Sequence, residues 1–240
     1  MRIVKLYYSI KPKRKISFSY GGSGKRPSWI KLNVKKEPSF VKLNINNKHV
    51  MYDGFLPGYF IPMDASTKEY KEFYDEYAKN YHIVYKKNNP IIKELLKEFS
   101  KIPNNSSILD IGAGTGENDL ELFKKGFNSI DLLDISPKML DLAKKRLKNF
   151  NAHFYCTDLE KFVLKKKYDV ILASLVLHYY SGEQLKKMLA KLKGLLKKGG
   201  LLITLNYNLI DLNNIFENVK NRKVWLKTIP FTITTASRIK

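Results

Sequence analysis

Three shortages narrow this 240-residue chain before any motif is read. It has one cysteine, Cys156, so no disulfide can form within the chain, and a reducing cytoplasm is the expected compartment. It has no apolar run near the ~18 residues that a membrane-spanning helix needs. The longest, Val170 to Leu177, covers less than half of that length. The opening Met1-Arg2-Ile3-Val4-Lys5 lacks an apolar stretch followed by a small-residue cleavage site, so secretion is not expected. Arginine is the third shortage, with six against 38 lysines in a chain of net charge +22. Such a charge attracts polyanions. Arginine, however, is the residue that forks onto phosphates and stacks on bases, so nucleic acid remains the minor expectation. A lysine- and asparagine-rich composition accounts for the charge equally well. No grouping of His and Cys suggests a metal.

What is present falls into two stretches. Residues 1–65 hold 13 basic and 3 acidic residues and show no helical period. They read as short β-branched and aromatic runs, Ile3 to Ile10, Ile16 to Tyr20, Trp29 to Val34 and Phe40 to Ile45. Gly21-Gly22-Ser23-Gly24 and Asn46-Asn47 mark turns between them. This is a basic, β-rich N-terminal extension. From residue 66 to 240 helical periods alternate with apolar runs. Ser66 to Glu69 sits at an N-cap position and leads into Tyr70, Phe73, Tyr74, Tyr77 and Tyr81. Asn89-Pro90 is read as the start of the next helix, with Ile91, Leu95, Leu96 and Phe99 on its apolar face. Ser136-Pro137 and Ser181 to Gln184 are read as further helix starts, the latter as a capping box. Leu209 to Val219 is expected to be helical. Lys223 to Ile229 and Phe231 to Thr235 are expected to pair, with Pro230 leaving the closing hairpin incomplete or displaced.

The densest chemistry lies in Leu109-Asp110-Ile111-Gly112-Ala113-Gly114-Thr115-Gly116-Glu117-Asn118. An apolar strand ends in an acid, and glycines then occupy every second position. Glycine admits left-handed turns and close backbone approach. The spacing excludes two phosphate ligands. A dinucleotide loop needs G-x-G-x-x-G, but Glu117 stands at the third glycine's place, and a phosphate loop needs Lys and Ser/Thr after Gly116. An acid on either side of the loop suits a cationic ligand better.

Asp110-x-Gly112-x-Gly114-x-Gly116 resembles the first motif of the class I S-adenosylmethionine (SAM)-dependent methyltransferases, of the UbiE/BioC-like kind. Ile130 to Asp134 with Ile135-Ser136-Pro137-Lys138-Met139-Leu140, His153 to Leu159, Tyr168 to Ser174 with Leu177-His178, and Leu196 to Ile203 resemble the following segments in order, over roughly residues 66–206. The resemblance implies an α/β fold, a Rossmann-like, doubly wound, mostly parallel sheet with helices on both faces, carrying the β-rich extension. It implies that Asp110 and the backbone of Gly112, Ala113, Gly114 and Gly116 hold the methionine part of SAM. Asp134 would take the ribose hydroxyls, Ile135 would pack on the adenine, and Asp158 and Leu159 would read its edge. Ser174, Tyr77 and Tyr81 are further cofactor-site candidates. Asp131 is a rival ribose acid, but it lies mid-strand.

Methyl transfer from a sulfonium needs alignment and desolvation above all, and a base only where the acceptor is protonated. His178 is the candidate base. Ala173-Ser174-Leu175-Val176 stands where enzymes methylating planar amino groups carry Asn/Asp-Pro-Pro-aromatic, which argues against exocyclic base nitrogens. The expected function is methyl transfer to a small-molecule acceptor. The alternatives are an RNA or protein methyltransferase that holds its acceptor with residues 1–65, and a non-catalytic SAM- or nucleic-acid-binding subunit. Aminopropyl transfer ranks last.

Overall fold

The structure, a computed structural model, describes the backbone of residues 66–78, 81–207, 209–226 and 229–238 together with the strands of the first 65 residues; side chains are described for 66–78, 81, 90–207, 209–225 and 230–238. The chain divides into two compact units, residues 1–80 and 81–240.

The first unit contains strands β1 (Lys5–Tyr7), β2 (Phe18–Gly21), β3 (Trp29–Leu32), β4 (Phe40–Ile45), β5 (Lys48–Leu56) and β6 (Tyr59–Pro62). They form one antiparallel sheet in the order β1-β4-β5-β6-β3-β2. The extension is therefore β-rich as expected, and richer than expected, because β5 and β6 were not anticipated. Residues 22–24 and 46–47, where turns were expected, lie outside the described residues. Helix α1 (Thr67–Tyr77) follows. Its capping box forms: the Ser66 amide donates to Glu69 Oε2 at 2.8 Å and the Glu69 amide donates to Ser66 Oγ at 3.3 Å. The period of three and four then buries Tyr70, Phe73 and Tyr77 on one stripe.

In the second unit a seven-stranded sheet runs β12 (Glu217–Leu226), β13 (Ile229–Ser237), β11 (Leu196–Asn206), β10 (Tyr168–Ser174), β7 (Ser107–Ile111), β8 (Ser129–Asp134), β9 (Ala152–Cys156). Strands β7 to β11 pair in parallel, and β13 and β12 close the edge antiparallel. Parallel strands need crossovers, and helices α2 (Tyr81–Leu96), α3 (Glu117–Lys124), α4 (Pro137–Arg146) and α5 (Gly182–Leu195) cover the sheet. Successive residues of a strand face opposite ways, and the core divides accordingly. Ile108, Ile130, Leu132, Val170 and Leu172 meet residues of α2, α3 and α4 in one apolar cluster. Leu109, Ile111, Leu133, Ile171 and Ala173 meet α5, Phe162, Ile210 and Phe216 in the other. The result is the doubly wound sheet with helices on both faces.

Four local expectations are corrected. Helix α2 starts at Tyr81 and carries Pro90 inside it. A proline removes one intrahelical bond; burial of Ile91, Ile92, Leu95 and Leu96 just beyond it holds the helix together. Leu209 to Val219 is not helical: two turns, with Ile210, Leu212 and Phe216 buried against the sheet, lead straight into β12. The closing hairpin is complete, with Leu226 opposite Ile229 and Trp225 opposite Pro230, so the reversal falls between Leu226 and Ile229 and not at Pro230. Ser181 occupies the α5 cap position, but its hydroxyl makes no cap bond. The Gln184 side chain, which a capping box would need, donates instead to Glu160 at 3.1 Å.

Candidate functional site

Strand order reverses between β7 and β10, and in such sheets the crevice at the strands' carboxyl ends is where ligands sit. The glycine loop leaves β7 at this point. Gly112, Gly114 and Gly116 have φ of +66°, +57° and +73°, left-handed values that other residues adopt at a cost. Two of them also admit a neighbour that a side chain would exclude. A Cβ on Gly112 would lie 2.2 Å from Val176 Cγ2, and one on Gly116 would lie 3.1 Å from Leu147 Cδ1 and 3.3 Å from Ala143 Cβ. The first contact ties the loop to the segment after β10, and the second seats α3 against α4.

The loop is joined to the end of β8. The amides of Gly112 and Ala113 donate to the Leu133 carbonyl at 2.7 and 3.1 Å. Asp134 accepts from the Gly114 amide at 2.8 Å with Oδ2 and from the Ser136 amide at 2.8 Å with Oδ1. Each carboxylate oxygen offers a further lone-pair site. Ser136 caps α4, accepting from the Met139 amide at 3.1 Å, so the cap does not depend on Asp134. Asp131, the rival, is excluded by its surroundings. It accepts from Tyr168 Oη at 2.6 Å and Lys166 Nζ at 2.8 Å, and lies 3.2 Å from His153 Nδ1.

Asp110 is fully buried beneath the loop, and neither of its carboxylate oxygens is in a well-formed hydrogen bond. Burial, then the Asp119 and Asp134 carboxyls, hold its pKa well above the usual carboxylate range. Glu117 is buried as well and raised by burial, with Arg146 Nη2 2.7 Å from its Oε1 and the Thr115 hydroxyl donating to its Oε2. The Tyr81 hydroxyl lies 3.4 Å from where a Gly114 Cβ would stand. Burial and the neighbouring Glu117 and Asp134 keep that phenol protonated.

The segments that follow β8 and β9 are more open. Ile135 is half-buried and Leu159 is buried. Asp158 stands two residues beyond β9, and its Oδ1 accepts from the Glu160 amide at 2.9 Å, as the acid of a local turn does. Ser174 ends β10 half-buried. Leu175 follows with φ of 59°, its amide donating to the Leu205 carbonyl at 2.7 Å. The chain then turns through Leu177–Tyr179, where both His178 ring nitrogens are shut off from solvent. The His178 ring lies 4.1 Å from Tyr179 and edge-on to Tyr207 at 5.3 Å. Burial brings its pKa down to about 4, so the imidazole is neutral at physiological pH. Tyr77 lies in α1 of the first unit, fully buried and stacked on Phe73.

The structure thus brings Asp110, the glycine loop, Tyr81 and Asp134 together, with Ile135 adjoining Asp134 in the chain. It also brings in Asp119 and Arg146, which sequence reasoning missed. For Asp119 a signal was present: it precedes Leu122 and Phe123 by three and four residues, on the stripe of α3 that faces the core.

The sheet order, the switch-point crevice and the alternating glycine loop beside a strand-end acid are the features on which the resemblance to the class I SAM-dependent methyltransferases rested. Residues 108–200 match the family model of the methyltransferase domain. Among curated proteins, the chain is 32% identical over 123 residues to a malonyl-[acyl-carrier protein] O-methyltransferase of Acetivibrio thermocellus, covering 50% of this chain and 41% of that protein. It is 30% identical over 158 residues to the Bacillus anthracis protein of the same name, covering 62% and 55%. The chain therefore spans about half the length of these relatives. In three dimensions it is similar to the N-methyltransferase NodS of Bradyrhizobium japonicum in complex with S-adenosylhomocysteine, with a TM-score of 0.56 at 16% identity over 64% of this chain and 88% of that one. That likeness is one of fold.

Proposed function

We propose that the protein is an enzyme that transfers a methyl group from SAM, by in-line displacement, to a small-molecule acceptor. One observation carries the reading most of the way: a buried Asp110 with no well-formed hydrogen bond, beneath a loop of alternating left-handed glycines that Asp134 tethers. A carboxyl in such a setting is costly to ionise, and a cationic ligand at this spot supplies the compensation. SAM carries a sulfonium and an ammonium against one carboxylate, and its bound sulfonium supplies the activated methyl group. Asp110 and the Gly112–Gly116 backbone would face its methionine part, Asp134 its ribose, and Ile135, Asp158 and Leu159 its adenine. Tyr81 and Ser174 complete the assignment.

The chain's own groups would mainly align the acceptor and exclude water. His178, neutral at physiological pH, would serve as the base where the acceptor is a protonated hydroxyl or amine, once the acceptor reaches its ring. Residues 66–240 would form the catalytic domain and residues 1–65 the basic extension. The single cysteine and the lack of any long apolar helix among the described residues are consistent with work in the cytoplasm. The names of the relatives make a malonyl group on acyl-carrier protein the first acceptor to assay.

A second reading rests on charge. The first 65 residues carry +10, which suits an anionic macromolecule such as RNA as the acceptor.

The test is thermal melting with and without SAM, followed by transfer of labelled methyl groups into a cell extract. A rise in Tm and label in a small product that resists RNase and protease are expected. No stabilisation by SAM overturns the enzyme reading, and label lost to RNase turns the assignment to RNA.

A further inference from the structure

The crevice holds more acid than the cofactor's known contacts call for. Asp119, in the first turn of α3, is fully buried, and neither of its carboxylate oxygens is in a well-formed hydrogen bond. Its neighbours come from every element packed around it. Asp110 from β7 interacts with it directly, as does Glu117 on its own helix. The Asn118 side chain lies against Asp110, with its own Oδ1 buried and without a hydrogen-bond partner. Asp134 at the end of β8 and the Tyr81 phenol on α2 act on the same group of acids. The cation described against them is Arg146, at the end of α4. It is already engaged with Glu117 at 2.7 Å and with the Thr115 carbonyl.

Four buried carboxyls thus lie around the loop, and Arg146 is paired with one of them, Glu117. Adjacent carboxyls in a medium of low dielectric do not both ionise; one proton is retained between them, and it belongs to the pair. A cation entering the same space removes the reason for retaining it.

We propose that Asp110 and Asp119 share one proton in the cofactor-free protein and release it to solvent when cationic SAM binds, which makes Asp119 a positioning residue for the cofactor. The proposal rests on the SAM reading of the site. No bond is made or broken apart from the proton's transfer to buffer. The electrostatics agree in direction: burial pushes the Asp119 carboxyl up to about 7, and burial with Asp119 beside it raises Asp110. The consequence is a pH-dependent affinity. Below neutrality the crevice is less negative and holds SAM more weakly; above it Asp119 has largely ionised and the dependence on pH weakens.

The experiment is titration calorimetry of the full chain with SAM, run at pH 6.0, 6.5, 7.0 and 8.0 in phosphate and in a second buffer of large ionisation enthalpy. The buffer dependence of the heat counts protons. The expected result is release approaching one proton at pH 6, and a Kd that tightens about tenfold per pH unit below neutrality. Asp119→Asn, which keeps the side-chain shape, should bind SAM with no proton release and a flat Kd from pH 6 to 8. A merely structural Asp119 would leave the proton count unchanged. The wild-type measurement stands alone if the variant folds poorly. Binding without proton release and with a flat Kd in the wild type overturns the shared proton, as does proton release that persists in a folded Asp119→Asn protein. Absence of SAM binding at every pH is a different outcome, and it overturns the methyltransferase reading itself.

Discussion

Two buried acid sites in one sheet have opposite characters. Asp131, midway along β8, is nearly inaccessible, yet Tyr168, Lys166 and His153 surround its carboxylate. Asp110 and Asp119, at the carboxyl ends of the strands, are equally inaccessible, and their oxygens are without sound hydrogen bonds. A carboxylate buried with donors is part of the structure, since the donors replace the water it lost. A carboxylate buried without them is held in a costly state by the surrounding fold, and such sites are where function concentrates. Asp131 and Asp134 stand three positions apart in sequence, and strand alternation sends them to opposite faces. The same side chain therefore serves stability in one place and ligand binding in the other.

Substitutions should pull these two roles apart. Asp134→Ala should weaken SAM binding most, by about 100-fold or more in calorimetric Kd, since two charge-assisted bonds contribute roughly 1.5–3 kcal/mol each. An unchanged Kd would mean that another acid holds the ribose. Asp131→Ala should leave the SAM Kd alone and cost about 3 kcal/mol of stability in urea unfolding, because Tyr168 and Lys166 lose their acceptor. If it weakened SAM instead, the contrast between the sites would collapse.

The Asp119 side of the comparison is visible in melting temperature without any ligand. Its folded-state pKa of about 7 lies above the ordinary carboxylate value, so the native protein holds more protons than the unfolded chain between about pH 4 and 7. The stability that this proton contributes is present at low pH and lost as pH rises through neutrality. The Tm of the cofactor-free protein should therefore fall from pH 6 to 8. Asp119→Asn should remove that slope and raise Tm at pH 8 by roughly 2–4 °C, which corresponds to about 1 kcal/mol. The smallest effect is expected far from the crevice. Arg222 on β12 donates to Glu94 and Glu98 at 2.7 Å each, in a half-exposed cluster. Arg222→Ala should cost about 1 kcal/mol or less in the same urea assay, with no change in SAM binding.

The parallel strands were legible because each is an apolar run closed by a turn residue or an acid, and the loop because its glycines fall at every second place. Asp134 could be told from Asp131 by its position at the strand end. What escaped was set by distant contacts. Ile210, Leu212 and Phe216 have spacings close to a helical period, but they pack against the sheet from a turn. Pro90 is a stop signal that tertiary burial overrides. Strand β5 contains Asp53 and Gly54, residues that argue against a strand, and is held by register with β4 and β6. Asp119 looks like an ordinary first-turn helix acid, and only the fold reveals Asp110 beside it.

The contact between Gly112 and Val176 has a kinetic consequence. The cofactor loop and the turn that carries His178 touch where no side chain could be added, so neither can shift without displacing the other. An acceptor held against the His178 turn is then expected to alter how fast the cofactor leaves, which stopped-flow release with and without acceptor would measure. Residence time on one side of the crevice becomes a readout of occupancy on the other.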